Sequence, residues 1–147
     1  MADRFDIIVI GGGSGGSAAA GRLSEDGRYS VCVVEAGGDN DSFRIKAPGM
    51  LAMLPKSANW AYETVAQPGL NGRSGYQPRG KGLGGSSASN AMLYIRGSAW
   101  DYDNWAALGC TGWAYKDVLP YFKRSEDNVR GGDDFHGGDG PLTVSDQ

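Results

Sequence analysis

Residues 5–16 read Phe5-Asp6-Ile7-Ile8-Val9-Ile10-Gly11-Gly12-Gly13-Ser14-Gly15-Gly16, and they are the most informative part of the chain about its fold. A short β-branched apolar run that ends at glycine is typical of a buried parallel strand, here residues 5–10. Residues 14–23 follow as a helix whose small side chains allow close packing on a sheet. A second buried strand over residues 31–35 completes a strand–helix–strand unit, so the sequence predicts an α/β fold.

The glycines between the first strand and the helix form the pattern G-x-G-x-x-G in its required context. In this pattern Gly11 permits a tight turn, Gly13 lets the backbone approach a pyrophosphate, and Gly16 lets the helix pack on the strand. Glu35 ends the second strand, where a carboxylate accepts hydrogen bonds from the adenosine ribose hydroxyls and repels a 2′-phosphate. The pattern predicts a dinucleotide site. The alternative is a tight turn without a ligand. It does not explain five glycines in the six positions 11–16, since each glycine destabilises an ordered element.

A second glycine-rich loop, residues 79–87, reads Arg79-Gly80-Lys81-Gly82-Leu83-Gly84-Gly85-Ser86-Ser87. It leads into a predicted helix over residues 85–95, so its amides and hydroxyls can contact the far part of an extended ligand. This suits FAD, which must be held at its flavin end as well as at its adenosine end. One alternative is a glycine-rich surface turn. Another is a nicotinamide-dependent dehydrogenase, which shares the first loop and Glu35 but leaves the second loop unexplained.

Composition and charge argue against several classes of protein. Glycine supplies 25 of 147 residues, against a usual share of about 7%, while the apolar and charged fractions are ordinary. The net charge is −3 and there is no long basic run, which gives nucleic-acid binding little support. The first residues carry an acid and lead straight into a strand, and no apolar stretch approaches a membrane span. We therefore expect no signal peptide, no membrane span and a cytoplasmic location.

The rest of the chain predicts shorter elements. We expect an irregular segment with one short helix over residues 39–78. A helix over 98–108 should begin at the capping-box pattern Ser98-Ala99-Trp100-Asp101 and end at Gly109. After it we expect a helix over about 115–126 that contains Pro120, a glycine–aspartate loop over 128–140, and the beginning of a strand over 141–144.

The remaining chemistry-bearing side chains offer no catalytic group. Cys32 and Cys110 are too few for a disulfide framework, and no Cys/His cluster has metal-ligand spacing, so we predict no metal site. The single histidine, His136, sits in the glycine–aspartate loop. We predict for it a role in a turn or a hydrogen bond rather than in catalysis.

Several segments together resemble the amino-terminal part of the glucose–methanol–choline (GMC) oxidoreductases. The first signature of that family is similar to residues 5–16, then Arg22-Leu23-Ser24 and Val34-Glu35-Ala36-Gly37. The second is similar to Pro78-Arg79-Gly80-Lys81, Leu83-Gly84-Gly85-Ser86-Ser87, Asn90-Ala91-Met92 and Tyr94-Ile95-Arg96-Gly97. The match extends through Asp101-Tyr102-Asp103-Asn104-Trp105, Leu119-Pro120-Tyr121-Phe122, His136-Gly137 and Gly140-Pro141-Leu142. The bacterial alcohol and choline dehydrogenases are the most similar branch.

The resemblance implies a Rossmann-like FAD-binding domain over residues 1–147, the amino-terminal portion of a larger two-domain flavoprotein. It implies contacts with the pyrophosphate from Gly11, Gly13, Ser14 and Gly16, and with the adenosine from Glu35 and Ala36. It further implies Trp60, Arg79, Leu83, Gly84, Gly85 and Ser86 along the middle of FAD, and Asn90, Ala91 and Met92 beside the isoalloxazine. Some members of the family tether the flavin through a histidine just before the asparagine. Ser89 stands there in this chain, so we expect non-covalent FAD.

The family's chemistry is the oxidation of a primary alcohol, in which a base takes the hydroxyl proton and hydride passes to flavin N5. The resemblance places that base near the carboxyl end of a chain several times longer, so this chain alone is expected to be inactive. The expected partners are a small alcohol and the carboxyl-terminal remainder of the enzyme. A non-catalytic module that binds FAD or a nucleotide is the second alternative function. The sequence does not identify the alcohol or the electron acceptor.

Overall fold

The structure of this chain is a computed structural model that describes residues 4–146. The chain divides into two compact units, whose boundary in the sequence falls between Leu93 and Tyr94. The single FAD-binding portion expected over residues 1–147 stays a prediction. The expectation that the chain starts without a signal peptide concerns in part residues 1–3, which lie outside the described residues.

The first unit is built on a parallel strand–helix–strand arrangement. Strand β1 covers Ile7–Ile10, helix α1 covers Ser14–Ser24 and strand β2 covers Val31–Val34. The two strands pair in parallel, with Ile7 opposite Val31 and Ile10 opposite Val34. β-Branched residues favour the pleated backbone, and the small residues of α1 keep the helix close to the sheet. The predicted α/β class is therefore confirmed.

Only one face of this sheet is covered within the described residues. Helix α1 packs on the face of Val9, because a Cβ on Gly16 would lie 3.3 Å from a Val9 methyl group. The other face, formed by Ile8, Ile10, Cys32 and Val34, is called the uncovered sheet face below. Ile8 is 61% exposed and Ile10 88% exposed. The prediction of fully buried strands is thus wrong, because among residues 4–146 neither a second layer nor a third strand lies beside them.

Short elements connect this sheet to the second glycine loop. Helix α2 covers Phe43–Lys46, and 3₁₀ turns cover Pro48–Met53, Lys56–Ala58 and Pro68–Leu70. Strand β3 (Tyr62–Glu63) pairs antiparallel with strand β4 (Tyr76–Gln77). The single short α-helix agrees with the prediction. The hairpin is not in the prediction, since two-residue strands leave no alternating pattern to detect.

The helix predicted over residues 85–95 is wrong. Only a 3₁₀ turn forms, over Gly85–Ala88, and residues 89–98 are irregular. Met92 has a left-handed backbone with φ of 57°. The side chain of Asn90 accepts a 2.8 Å hydrogen bond from the Met92 amide. Such local side-chain bonds compete with helix formation, and they override the apolar spacing that suggested a helix.

The second unit contains two helices and a short parallel sheet. Helix α3 covers Ala99–Ala107, helix α4 covers Tyr115–Ser125, and strands β5 (Glu126–Asn128) and β6 (Leu142–Val144) pair in parallel. The Asp101 carboxylate accepts hydrogen bonds from the amide and hydroxyl of Ser98 at 2.7 and 2.9 Å. This confirms the predicted start of α3. Strand β5 is an addition to the prediction, because it follows α4 without a turn signal.

Aromatic side chains hold α3 and α4 together. The Tyr102 ring makes edge-on contacts with Trp105 and Phe122, at centroid distances of 5.3 and 5.6 Å. Edge-to-face pairs of this kind stabilise a contact beyond the area they bury. Among residues 4–146, none of the helices is both long and apolar enough to cross a bilayer.

Candidate functional site: two joined glycine loops

The first glycine loop makes the turn from β1 into α1. Gly11 has a φ of +95°, which a side chain would strain, and its amide donates to the Val34 carbonyl at 2.8 Å. Gly13 is the N-cap of α1 and has no side-chain oxygen to satisfy the first-turn amides. Those amides and the helix dipole therefore remain able to bind an anion.

The second glycine loop lies directly on the first. The Gly84 amide donates a 2.7 Å hydrogen bond to the Gly12 carbonyl. A Cβ atom on Gly85 would lie 2.9 Å from the Cα of Gly13, closer than real side chains come. The two loops thus form one continuous backbone surface, and the glycines allow that close approach.

Glu35 joins the two loops from the end of β2. Its Oε2 accepts a hydrogen bond from the Gly12 amide at 2.7 Å. Its Oε1 accepts from the amides of Gly37 and Gly82, each at 2.9 Å. A ribose contact is expected for this carboxylate from the sequence, whereas its three amide partners are not, because no local pattern reveals them.

The same amides control the charge of this carboxylate. The Gly37 amide, followed by that of Gly12, lowers the pKa of Glu35 below its usual range. Partial burial acts in the opposite direction and the Gly82 amide adds to the lowering. Glu35 is therefore held as a carboxylate, the form that accepts hydrogen bonds.

A cleft of about 590 Å³ lies beside the second loop. Its lining comprises Leu54, Asn59, Tyr76, Pro78, Arg79, Gly80, Ser86, Ser89 and Asn90. Three of the predicted site residues, Arg79, Ser86 and Asn90, are thereby brought together. Asn59 organises one wall, because its amide donates to the Tyr76 hydroxyl at 2.6 Å and its oxygen accepts the Arg79 amide at 3.0 Å. Neither Asn59 nor Tyr76 belongs to a pattern that could have identified it from the sequence.

Trp60 and Met92 lie outside this lining but next to residues that belong to it. The Trp60 amide donates to the Arg79 carbonyl at 2.8 Å. The Lys81 ammonium lies 4.6 Å from the centre of the Trp60 ring. Asn90 and Met92 line a smaller cavity of about 170 Å³. Ala91 lines neither cavity.

His136 belongs to a buried ion network in the second unit. The Glu126 side chain is fully buried and bonds to the Arg96 guanidinium, to Asn128 at 2.9 Å and to His136 Nδ1 at 2.9 Å. Burial favours a higher pKa for Glu126, but its hydrogen bonds from Asn128 and His136 outweigh this and the pKa lies below its usual range. The hydrogen-bonding role predicted for His136 is confirmed. Within the described part of the chain, acids, cysteines and the histidine form no cluster that could hold a metal ion.

Comparison with known proteins gives one family over nearly the whole chain. The family model described as GMC oxidoreductase matches residues 5–147. An oxygen-dependent choline dehydrogenase from Rhizobium etli (strain CIAT 652) is 52% identical over 141 residues, which cover 95% of this chain and 26% of that protein. One from Ectopseudomonas mendocina (strain ymp) is 49% identical over 150 residues, covering 99% of this chain and 26% of that protein.

Solved structures give the same result. A pyridoxine 4-oxidase from Mesorbium loti superposes with a TM-score of 0.90 at 41% identity, covering 95% of this chain and 28% of the other. A formate oxidase variant from Aspergillus oryzae RIB40 superposes with a TM-score of 0.84 at 33% identity, covering 96% of this chain and 26% of the other. This chain thus spans about a quarter of the length of the proteins it matches.

Proposed function

We propose, from the premise that the chain belongs to the GMC oxidoreductase family, that it is the FAD-binding, amino-terminal part of a larger FAD-dependent oxidoreductase acting on CH–OH groups. The observation that carries this proposal is the joining of the two glycine loops by Gly84 and Glu35. A single phosphate-binding turn serves any dinucleotide. Two loops in one surface serve a ligand that must be held along its whole length.

The residues present fit FAD. The first-turn amides of α1 lack a side-chain cap, and the backbone beside Gly13 is open, because its missing Cβ would contact only the Gly85 Cα, at 4.0 Å. A pyrophosphate can approach such a surface closely. The family and the FAD-dependent neighbours support this cofactor over a nicotinamide nucleotide.

We assign the parts of the cofactor to the residues expected from the sequence. The pyrophosphate would contact Gly11, Gly13, Ser14 and Gly16, and the adenosine Glu35 and Ala36. The middle would lie along Trp60, Arg79, Leu83, Gly84, Gly85 and Ser86, and the isoalloxazine would lie beside Asn90, Ala91 and Met92. Arg79, Ser86 and Asn90 already face one cleft, which supports the assignment for these three.

The chemistry proposed for the whole enzyme divides between this chain and its remainder. FAD, when bound, supplies an acceptor for the hydride of the alcohol carbon. The residues of this chain bind and orient the cofactor. The base that takes the hydroxyl proton is proposed to lie in the carboxyl-terminal remainder, because His136, the one histidine of this chain, is engaged by the buried Glu126.

We propose a small primary alcohol as the substrate. The similar proteins from Rhizobium etli and Ectopseudomonas mendocina are named oxygen-dependent choline dehydrogenases, so choline is the first alcohol to test. The cytoplasmic location expected from the sequence stays a prediction.

We propose that the cofactor is bound non-covalently. Ser89, the residue just before Asn90, lines the cleft beside the second loop. Its hydroxyl is a poor candidate for a flavin linkage compared with the histidine that some family members have there. Acid precipitation of the FAD-loaded protein tests this. Yellow colour in the supernatant is expected, and colour that stays in the pellet would contradict the proposal.

The partner proposed for this chain is the carboxyl-terminal remainder, and the uncovered sheet face is where we place it. Parallel sheets in α/β proteins are normally covered on both faces. Here α1 covers the face of Val9, while Ile8, Ile10 and Val34 are 61%, 88% and 52% exposed. The relatives are about four times as long as their matched part, since that part covers 26% of them. Residues equivalent to the unmatched part could therefore form the layer that covers this face.

The test of the proposed function is a flavin spectrum followed by reduction. The chain, mixed with FAD and freed of excess ligand, is expected to retain flavin absorbance. With the carboxyl-terminal remainder present, that absorbance should bleach on addition of an alcohol under anaerobic conditions. Flavin that is retained but never reduced would favour the non-catalytic module. A parallel sample mixed with NAD should retain no nucleotide, and retention of NAD but not of flavin would favour the nicotinamide-dependent dehydrogenase.

A further inference from the structure

The segment after β2 makes several bonds to the second loop that do not involve any nucleotide. Glu35 Oε1 accepts the Gly82 amide at 2.9 Å. The Gly38 carbonyl accepts the Leu83 amide at 2.9 Å. The Asn40 side-chain amide donates to the Leu83 carbonyl at 2.8 Å. Residues 35–40 therefore bond to residues 82–83 of the second loop, both as acceptors of its amides and as a donor to its Leu83 carbonyl.

We propose that Glu35 is a positioning residue that clamps the second glycine loop onto the first before a nucleotide arrives. One carboxylate oxygen is bonded to Gly12 in the first loop, and the other to Gly82 in the second. Hydrogen bonds to a charged acceptor are stronger than neutral ones. Glu35 is thus the one side chain among the described residues that bonds to both loops. Its effect on FAD affinity passes largely through the shape of those loops.

The acceptor capacity of the carboxylate supports this role. An ionised carboxylate has about four lone-pair sites, and the amides of Gly12, Gly37 and Gly82 occupy three of them. Oε2, which has a single amide donor, retains room for about one further hydrogen bond. A ribose that offers two hydroxyls can therefore be accepted fully only if a loop amide is released.

The proposal deepens the assigned function and rests on it only for the cofactor's identity, because every bond of the clamp joins two groups of this chain. Two variants test it. Glu35→Gln keeps the length of the side chain but replaces one acceptor oxygen with a donor, which must face a backbone N–H. Asn40→Asp removes the donor to the Leu83 carbonyl, and Asn40 is not itself assigned to FAD. Aspartate also tolerates the left-handed backbone of position 40, where φ is 59°. Glu25→Gln is the control for charge, since Glu25 pairs with Arg22 on the surface of α1.

The measurements are amide hydrogen exchange of the ligand-free protein and the dissociation constant for FAD. Both test variants should speed exchange at Gly82 and Gly84 and raise the dissociation constant about tenfold. Glu35→Gln loses a charge-assisted bond, and Asn40→Asp places a carboxylate against the Leu83 carbonyl. Glu35→Asp should recover part of both losses, because it keeps the charge. Glu25→Gln should change neither.

The outcomes separate the clamp from its alternatives. If Glu35→Gln weakens FAD binding but leaves ligand-free exchange at Gly82 unchanged, Glu35 acts only through direct nucleotide contact and the proposal is wrong. Unchanged exchange in both test variants would also overturn it. If the wild-type protein binds no FAD, the proposed function fails while the exchange experiment still tests the clamp. Should Glu35→Gln not fold, Asn40→Asp and Glu35→Asp give the answer.

Discussion

A Cβ atom on Gly16 would lie 1.9 Å from the carbonyl oxygen of Gly11, a distance that no side chain can occupy. The first turn of α1 therefore rests directly on the strand-to-helix turn that precedes it. This contact sets the position of the α1 amides proposed to bind the pyrophosphate.

A matched pair of glycine substitutions in α1 tests this contact. Gly16→Ala should lower the free energy of unfolding by about 2–4 kcal/mol, because backbone must shift to admit the methyl group. Gly21→Ala should raise it by about 0.5–1 kcal/mol, since alanine favours helix and nothing lies within 4 Å of the new Cβ. Urea unfolding followed by circular dichroism measures both. Equal effects of the two variants would show that α1 does not rest on Gly11.

The buried ion network of the second unit should be sensitive to the loss of its cation. Arg96→Leu leaves the Glu126 carboxylate buried without its guanidinium and also removes the 2.6 Å bond to the Phe135 carbonyl. We expect a loss of about 3 kcal/mol in the free energy of unfolding. The double variant Arg96→Leu/Glu126→Gln should be more stable than Arg96→Leu alone, because no charge is then left unpaired. Urea unfolding measures both proteins, and a double variant less stable than the single one would contradict the account.

The stabilisation that Glu35 gives to the folded protein should depend on pH. The backbone amides, that of Gly37 most, lower the pKa of Glu35 in the folded protein. The stabilisation is therefore complete above the ordinary carboxyl pKa and is lost as the pH falls through the lowered value. The difference in unfolding free energy between wild type and Glu35→Gln should shrink as the solution is acidified through this range. A difference that stays constant down to the most acidic pH at which both proteins fold would show that the amides do not recognise the charge.

Cys32 reports on the uncovered sheet face. It lies opposite Ile8 in the parallel register and is partly exposed. In a Cys110→Ser background, a thiol reagent should modify Cys32 at least about tenfold more slowly when the carboxyl-terminal remainder is present, because access controls thiol reactivity. Equal rates would show that the remainder does not cover this face. Protection that instead grows with the concentration of this chain alone would show that a second copy covers it.

Some features of the fold depend on neighbours in the sequence, and those were predictable. The run from Phe5 to Gly16 contains the strand, the turn and the start of the helix, since each is set by residues within a few positions. Likewise, the Ser98–Asp101 cap begins α3, and Gly109, with a φ of +105°, follows its end. The resemblance to the family also covers residues outside these elements, and the family model matches residues 5–147.

Other predictions were wrong because contacts that the apolar spacing does not report, some of them distant in the sequence, decided the outcome. The helix expected after Gly85 fails, since Gly85 approaches Gly13 too closely for a side chain and the Asn90 side chain bonds the Met92 amide. The strands expected to be buried are exposed on one face. Burial depends on a covering layer that the strand's own residues cannot supply.

Local sequence is enough to predict that a glycine-rich turn follows β1, that an acid follows β2, and that a second glycine loop exists. That these three features are bonded into one site depends on how the chain folds. Glu35 accepts amides from Gly12 and Gly82 because the parallel pairing of β1 with β2 brings the carboxyl ends of both strands to the same edge of the sheet. A hydrogen bond between residues so far apart in the chain leaves no local pattern. It exists only once the backbone has brought its donor and acceptor together.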